Sequence, residues 1–311
     1  MSNETMQAAR IHDYGDPEQI KIERVPRPEP KTGEVLVRLN AVGVNPADWK
    51  MRAGYYREFM PLTFPWTPGI EGAGIVEAVG PDVTTFKPGQ AVFGLINNSY
   101  AEYAVAPAKN LYAKPAFLSF EQTASVSLGA LVAWRAVIEE AAVQPEQRVL
   151  VHGGAGGVGI YVVQFACGKG ARVTATTSAA NADFVRSLGA ENVIDYHATK
   201  FEDVVKDVDA VIDTVGGDVI ERSLRVIRPG GILVTVAGRV DPETGKARGV
   251  RAVSAGPADT TKLQQIAKML ESKQIAPVVG QVFPLAQARL AQEQSQTGHG
   301  RGRIILRIAD K

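Results

Sequence analysis

The sequence predicts an α/β protein that combines a doubly wound parallel sheet with a second, β-rich domain. Strand and helix patterns alternate through the second half of the chain, which is typical of a parallel sheet covered by helices on both faces. Between one such strand and helix lie Gly154, Gly156 and Gly159, in the spacing G-x-G-x-x-G. The first 120 residues differ, because short apolar runs are separated there by proline- and glycine-containing turns. A length of 311 residues allows two domains.

The first domain is predicted to begin with residues 1–120 and to be built from short strands. Its turn signals include Pro81-Asp82 and Lys87-Pro88-Gly89. The predicted strands are 7–11, 35–41, 74–79, 91–93 and 103–105.

The second domain, residues 121–273, opens with an alanine-rich stretch, 121–140, that is predicted to be helical. The predicted strands are 148–152, 171–176, 192–195, 210–213, 231–237 and 250–254. The predicted helices are 157–169, 180–188, 218–227 and 259–272.

The last segment, residues 274–311, returns to the texture of the first domain. It contains a predicted helix, 285–294, and a predicted strand, 303–308. We therefore expect it to complete the first domain, which would then be discontinuous, with ranges 1–120 and 274–311.

The strand, glycine turn and helix around residue 154 together predict a dinucleotide site. In this prediction Gly154 permits the tight turn, Gly156 lets the backbone approach a pyrophosphate, and Gly159 lets the helix pack on the strand. The helix N-terminus would hold the anion. An ordinary glycine turn is the alternative, but the strand that follows the helix favours a nucleotide. The other predicted contacts in the turn are Ala155, Gly157 and Val158.

The residues after the second strand of this unit favour NADP(H) over NAD(H). An NAD site usually places an acid about twenty residues beyond the glycines, where it binds the ribose hydroxyls. The corresponding stretch here contains Thr177 and Ser178 and no acid. A carboxylate would repel a 2′-phosphate, whereas hydroxyl groups would not.

Composition excludes several other classes of protein. The net charge is +1, so no basic surface indicates a nucleic-acid partner. No apolar run approaches the ~20 residues that a membrane span needs. Residues 1–10 are polar and lack the apolar core of a signal peptide. The single cysteine, Cys167, allows no intramolecular disulfide and suits a cytoplasmic location.

Six short motifs resemble the medium-chain dehydrogenase/reductase superfamily, and in particular its quinone oxidoreductase branch, which includes the zeta-crystallins. They are VNPAD at 44–48, MRAG at 51–54, PGIEGAG at 68–74, VHG at 151–153, SLGA at 187–190 and GHGRGR at 298–303. The resemblance covers nearly the whole chain. It implies a Rossmann domain, a discontinuous GroES-like β-barrel domain, a cofactor bound between the two, and a homodimer joined near residues 250–256.

The resemblance also bears on zinc, because the superfamily contains zinc alcohol dehydrogenases. Their catalytic metal needs a cysteine where this chain has Asn45 and a histidine where it has Ile70. Their structural zinc takes four cysteines, and this chain has one. We therefore expect no metal. Without a Lewis acid, quinones and carbonyl-activated alkenes are better substrates than simple alcohols.

In similar reductases a serine and a tyrosine hold the 2′-phosphate, and Ser178 and Tyr196 match them. Ser178 could instead cap the following helix, and Tyr196 could be a half-buried turn aromatic. The loop after a Rossmann strand, Thr214, Val215 and Gly216, should border the ribose and nicotinamide. Arg303 resembles part of a C-terminal loop that approaches the cofactor, or it is a surface arginine of a hairpin.

The resemblance places Asn45 near the nicotinamide, although Asn-Pro is also a common turn or helix cap. Tyr56 matches a tyrosine that lines the substrate cleft, where its phenol could stack on a quinone or donate a hydrogen bond. Tyr55 and Tyr56 could instead be loop-surface residues. Lys50 stands where the family has a second tyrosine. It could stabilise developing oxyanion charge or be a solvated surface lysine.

These observations predict a zinc-independent, NADPH-dependent oxidoreductase that transfers hydride to a quinone. An enone or enoyl reductase is the alternative enzyme. The alternative that is not an enzyme is an NADPH-binding protein with little turnover.

Overall fold

The computed structural model describes residues 4–308, so the outermost residues of the predicted ranges 1–120 and 274–311 lie outside it. The chain divides into two units. The first contains the residues up to Leu128, Leu263–Ala267 and those from Pro277 onward. The second contains Gly129–Lys262 and Lys268–Ala276.

Strands and helices follow each other along the chain as the alternating patterns predict. The strands are β1 (Thr5–Arg10), β2 (Lys21–Pro26), β3 (Glu34–Val44), β4 (Glu71–Val79), β5 (Ala91–Leu95), β6 (Tyr103–Pro107), β7 (Leu111–Ala113), β8 (Arg148–His152), β9 (Arg172–Thr177), β10 (Asn192–Asp195), β11 (Val208–Asp213), β12 (Ile227–Thr235), β13 (Arg251–Ser254), β14 (Val279–Pro284) and β15 (Arg303–Arg307). The helices are α1 (Pro46–Arg52), α2 (Phe120–Ala124), α3 (Ser127–Trp134), α4 (Gly159–Gly168), α5 (Ala182–Ser187), α6 (Phe201–Val204), α7 (Asp218–Ser223), α8 (Glu243–Lys246), α9 (Leu263–Glu271) and α10 (Ala288–Gln296).

The second unit contains a six-stranded parallel sheet in the order β10-β9-β8-β11-β12-β13. Its strands are rich in buried Val, Ile and Leu, as expected of strands covered on both faces. The chain starts at β8 and winds first towards β10, then back past β8 towards β13. This is the Rossmann order, and the reversal between β8 and β11 marks the point where such sheets bind ligands. The predicted doubly wound sheet is confirmed.

The first unit contains a seven-stranded sheet in the order β14-β15-β3-β4-β5-β7, with β6 also paired to β3. Strand β15 pairs antiparallel with β3 through Ile304↔Val44 and Ile305↔Gly43. The C-terminal segment therefore joins the β-rich unit, and this unit is discontinuous in sequence.

The predicted helical stretch 121–140 is helical, with one interruption between Ala124 and Ser127. Helix α2 ends at Ala124, α3 begins at Ser127, and residues Arg135–Glu140 form a π-helical turn. The hydroxyl of Ser125 donates to the carbonyl oxygen of Gln122 at 2.7 Å. Such a side-chain bond competes with the helical backbone bonds and favours an end of the helix here.

Strands β2, β7 and β14 were not among the predicted elements. Strand β2 pairs with β1 and β14 pairs with β15, and both have largely exposed side chains. Neither was recognised, because strands with two solvated faces carry a weak apolar alternation.

Candidate functional site

In the glycine turn after β8, the residue that permits the tight turn is Gly153 and not the predicted Gly154. Gly153 has the positive φ of 72°, whereas Gly154 has no positive φ. A Cβ on Gly154 would lie 2.9 Å from the Cβ of Ala175 on β9, so Gly154 serves close packing. A Cβ on Gly159 would lie 2.0 Å from the carbonyl oxygen of Gly153, so this position also requires glycine.

The same turn leaves room for a nucleotide. A Cβ on Gly156 would meet only the carbonyl oxygen of Gly153, at 3.2 Å, so this side of the backbone is open. Helix α4 begins at Gly159, directly after the turn. A turn made mostly of glycines at a helix N-terminus fits a pyrophosphate.

His152, the last residue of β8, is buried beneath this turn. Its Nδ1 lies 3.2 Å from Thr176 Oγ1 and its Nε2 lies 3.0 Å from Ser223 Oγ. Ser223 donates its own proton to the carbonyl oxygen of Val219 at 2.6 Å, so it accepts from Nε2 of the histidine. Burial lowers the pKa of His152 to about 4. The neutral ring therefore connects β8, β9 and α7 and has a structural role.

The ends of β9 and β10 bring the predicted phosphate ligands to neighbouring positions. Asp195 pairs with Thr177 in the parallel register, so Tyr196 and Ser178 follow directly paired residues. The amide nitrogen of Tyr196 donates to the carbonyl oxygen of Thr177 at 3.2 Å. Tyr196 is 48% exposed and packs against His197 with ring centroids 4.2 Å apart, so the alternative of a half-buried turn aromatic stays open beside the role in phosphate binding.

The Ser178 hydroxyl does not cap the helical turn that follows it. Its oxygen instead accepts a hydrogen bond from Asn181 Nδ2 at 3.2 Å. Ser178 therefore occupies the N-cap position with the extended backbone of a cap, but its hydroxyl makes no capping hydrogen bond.

The loop after β11 is organised by Asp213, which sequence reasoning did not single out. This carboxylate is fully buried and accepts from the amides of Val215 (2.9 Å) and Gly216 (3.0 Å). Thr235 Oγ1 also donates to it, at 2.7 Å. Thr214 Oγ1 donates to the carbonyl oxygen of His152 at 2.7 Å, which ties this loop to the end of β8. Residues 214–216 therefore lie at the point where the strand order reverses.

In the first unit, Asn45 is the N-cap of α1, as its Asn-Pro sequence indicated. The capping carboxylate belongs to Asp48, whose Oδ2 accepts from the backbone amide of Asn45 at 2.8 Å. The Asn45 side chain is thereby left for other partners. Its Nδ2 donates to Glu71 Oε1 at 2.9 Å, and its Oδ1 accepts from Arg303 Nη2 at 2.6 Å.

Glu71 and Arg303 complete this cluster as a buried ion pair through Oε1 and Nη2. The other carboxylate oxygen of Glu71 accepts from the amide of Leu128 at 2.7 Å. Arg303 is 3% exposed, so the alternative of a surface arginine on a hairpin is wrong. A Cβ on Gly43 would lie 2.3 Å from Glu71 Oε1, so glycine at that position makes room for the carboxylate.

Asp48 and Tyr100 continue the cluster inward. The Tyr100 hydroxyl donates to Asp48 Oδ2 at 2.9 Å, and both side chains are fully buried. Burial raises the pKa of Asp48 to about 7, against the opposing effect of its hydrogen bonds to Asn45 and Tyr100. Burial, with the neighbouring Asp48, also raises the pKa of Tyr100 above its ordinary value. Sequence reasoning missed both as members of this cluster.

This cluster does not fit a metal ion. Asn45 uses both atoms of its amide, Glu71 uses both carboxylate oxygens, and Ile70 has no donor atom. No group of three or more His, Cys, Asp or Glu side chains within residues 4–308 could hold a metal ion.

Tyr56 and Lys50 lie outside the cluster, at the C-terminal end of α1 and just beyond. Tyr56 is partly buried, packs on Phe59 with ring centroids 5.5 Å apart, and has its pKa raised by burial. Lys50 is partly exposed and places Nζ 5.6 Å from the Trp49 ring. Tyr55 is 68% exposed and packs edge-on against Trp49.

Comparison with protein families gives two matches. Residues 31–116 match the family described as "Alcohol dehydrogenase GroES-like domain", and residues 188–306 match "Zinc-binding dehydrogenase".

Within the part of the chain that the structure describes, no helix is long and apolar enough to cross a membrane.

Two curated relatives match along nearly the whole chain. Quinone oxidoreductase of Sus scrofa is 32% identical in an alignment that covers 97% of this chain and 97% of its own. The 2-methylene-furan-3-one reductase of Solanum lycopersicum is 32% identical over 97% of this chain and 79% of its own.

Two solved structures have the same fold. Mycobacterial Rv1454c complexed with NADPH has a TM-score of 0.89 at 31% identity, covering 97% of this chain and 100% of the other. An NAD-dependent alcohol dehydrogenase has a TM-score of 0.91 at 29% identity, covering 98% of this chain and 100% of the other.

Proposed function

Because this chain belongs to the quinone oxidoreductase branch of the medium-chain dehydrogenase/reductase superfamily, we propose that it is a zinc-independent reductase. It uses NADPH and transfers hydride to quinones or related activated carbonyl acceptors. The family consists of oxidoreductases that use a nicotinamide cofactor and a small-molecule substrate. We propose in addition that the cofactor is NADPH, that the acceptor is a quinone or a related activated carbonyl compound, and that no zinc takes part.

The observation that carries the proposal is the buried cluster of Asn45, Glu71 and Arg303. An arginine guanidinium supplies the positive charge beside the Glu71 carboxylate, so the carboxylate has no need of a metal. Without a Lewis acid, the alkoxide of a simple alcohol is poorly stabilised. Quinones and enones fit this site better, since they accept hydride by delocalising the charge over a conjugated system.

The edge formed by β9 and β10 supports NADPH. Thr177, Ser178 and Tyr196 provide hydroxyl groups there, and no acid follows β9 in the first four residues, 178–181. The nearest carboxylate on the neighbouring strand, Asp195, accepts from the amide of His197 at 3.1 Å. The Asp195 carboxylate is therefore engaged by a backbone amide of its own turn.

The roles of the side chains follow from their chemistry. The bound nicotinamide supplies the hydride. The glycine turn and the N-terminus of α4 hold the pyrophosphate, and residues 214–216 border the ribose. We assign Asn45, with its amide fixed by Glu71 and Arg303, to the nicotinamide. Tyr56 donates a hydrogen bond to the acceptor oxygen, and Lys50 adds positive charge there. A proton from Tyr56 or from water completes the reduction.

Reduction of an enone is the second candidate. It is favoured by the 2-methylene-furan-3-one reductase among the relatives. The hydride would then go to the β-carbon, and the same donors would stabilise the enolate oxygen. A low-turnover NADPH-binding role remains the alternative outside catalysis.

The proposal also includes a homodimer joined at the β13 edge, where unpaired backbone groups of the strand favour association. It includes a cytoplasmic location as well.

The test is a steady-state assay of the full chain after chelator treatment and removal of the chelator. NADPH and NADH oxidation are measured in parallel with 1,4-benzoquinone and with an α,β-unsaturated ketone. We expect NADPH-preferring turnover with the quinone that added Zn²⁺ does not raise. Activity that requires Zn²⁺ would contradict the proposed zinc-independence. A preference for NADH would contradict the proposed use of NADPH. Tight NADPH binding without turnover on either acceptor would favour the binding-protein alternative.

The cofactor preference has its own variant. Ser178→Asp places a carboxylate beside the proposed 2′-phosphate and should lower the NADPH/NADH ratio of kcat/KM by about tenfold or more. Ser187→Asp adds the same charge at the C-terminal residue of α5 and serves as the control. An unchanged ratio in Ser178→Asp would argue against the assignment of Ser178.

A further inference from the structure

A basic pocket lies beside Tyr196 on the second unit. It has a volume of about 680 Å³. The turn after β10 and the helices α6 and α7 form it, and its charged lining residues are Lys200, Glu202, Asp218, Arg222 and Arg225. Three cations therefore face two carboxylates.

The two carboxylates are both bound to the same cation. Arg222 donates Nε and Nη2 to the two oxygens of Glu202, each at 2.8 Å, and Nη1 to Asp218 at 3.2 Å. These hydrogen bonds, with a smaller contribution from Lys200, lower the pKa of Glu202 to about 2. The carboxylates are thus committed to Arg222.

Lys200 and Arg225 have no ion-pair partner of this kind among residues 4–308, and both are exposed. Their donors are available to a ligand that enters the pocket. A compact anion with several acceptor oxygens, such as a phosphate monoester, matches two such cations.

The position of the pocket favours one particular phosphate group, the 2′-phosphate of NADPH. Tyr196 lines it, and the register of β9 and β10 makes Tyr196 the neighbour of Ser178. In sheets of this order, the adenosine ribose binds at the end of the second strand, here β9. A phosphate on the ribose 2′-oxygen would therefore extend towards Tyr196 and the pocket.

We propose that Lys200 and Arg225 bind the 2′-phosphate of NADPH and are the basic residues that select the phosphorylated cofactor. This inference rests on the proposed function. It assigns the cationic part of the site to the β10–α6 turn and to α7, in addition to the hydroxyl groups of Ser178 and Tyr196.

The test measures binding of 2′,5′-ADP and 5′-AMP to the full chain by calorimetry. These two probes differ only in the 2′-phosphate. Lys200→Ala and Arg225→Ala should each weaken 2′,5′-ADP binding about five- to tenfold and leave 5′-AMP binding unchanged. Lys200→Arg should retain most of the affinity. Lys206→Ala removes an exposed lysine just after α6 and is the matched control.

The outcomes separate this inference from the cofactor proposal. A wild-type protein that binds both probes equally would overturn the NADPH assignment and this inference with it. A wild-type preference for 2′,5′-ADP that survives in the Lys200→Ala/Arg225→Ala double variant would overturn this inference alone. Equal loss of both probes in the variants would indicate a general effect on the nucleotide site and would also overturn it.

Discussion

Arg303 and Glu71 form an ion pair although 232 positions separate them in the chain. Their side chains are 3% and 0% exposed. The pairing of β15 with β3, and of β3 with β4, brings the start of β15 close to the start of β4. Removing both charges from water is unfavourable unless their hydrogen bonds are satisfied. Asn45 and the amide of Leu128 supply those bonds to Glu71.

Loss of one partner should therefore be costly. Arg303→Met leaves the Glu71 carboxylate buried without its cation, and we expect the free energy of unfolding to fall by about 3–5 kcal/mol. Urea denaturation of the full chain measures this. Arg307→Met is the control on the same strand, because Arg307 pairs with Glu121 at a half-exposed position, and it should lower stability by less than about 1 kcal/mol. Similar losses in the two variants would contradict the special role of the buried pair.

Two glycines of α4 make a matched pair for the glycine turn. Gly159→Ala would place a Cβ 2.0 Å from the carbonyl oxygen of Gly153, whereas a Cβ on Gly168 meets nothing within 4 Å. We expect Gly159→Ala to destabilise the protein by about 3 kcal/mol and to weaken NADPH binding strongly. Gly168→Ala should be neutral or stabilising by up to about 1 kcal/mol. Thermal unfolding and NADPH titration distinguish them, and a Gly159→Ala protein with normal binding would refute this account of the turn.

Asp48 should make stability depend on pH. The pKa of its carboxyl is about 7 in the folded protein and 3.8 as an ordinary value, so the folded state retains a proton that the unfolded state releases. The free energy of unfolding should therefore fall as the pH rises from about 4 to about 7, by up to about 4 kcal/mol.

The Asp48→Asn variant isolates this effect, since a neutral amide can still accept from Tyr100 and Asn45. The free energy of unfolding of the variant minus that of the wild type, measured in urea, should increase as the pH rises from 5 to 8. His152, whose pKa is lowered, contributes the opposite trend below pH 6.5, but equally in both proteins. A wild-type minus variant difference that is constant with pH would contradict the raised pKa of Asp48.

Tyr56 and Tyr55 test the proposed hydrogen bond to the acceptor. Burial raises the pKa of Tyr56, so its phenol remains a donor in neutral and mildly alkaline solution. Tyr56→Phe should lower kcat with 1,4-benzoquinone by about tenfold or more and leave the KM for NADPH unchanged. Tyr55→Phe, which changes a 68% exposed ring, should retain full activity. Unchanged turnover of Tyr56→Phe would exclude a hydrogen-bonding role for its hydroxyl.

Local patterns predicted the second unit well. Strands β8 and β10 have the predicted bounds, and the glycine turn lies between β8 and α4. The turn chemistry was less well predicted, because G-x-G-x-x-G does not show which glycine has the positive φ. Only the structure showed that it is Gly153, one residue before the motif.

By itself, the sequence determined the alternating order of the parallel sheet, the place of the nucleotide turn and the absence of an acid after β9. These features depend on residues within a few positions of each other, where periodicity and backbone preferences act. The tertiary structure decided the surroundings of Asn45, Asp48, Glu71 and Arg303, and those of the pocket beside Tyr196. Burial and charge pairing there depend on contacts between distant parts of the chain, and a one-dimensional pattern carries no record of them.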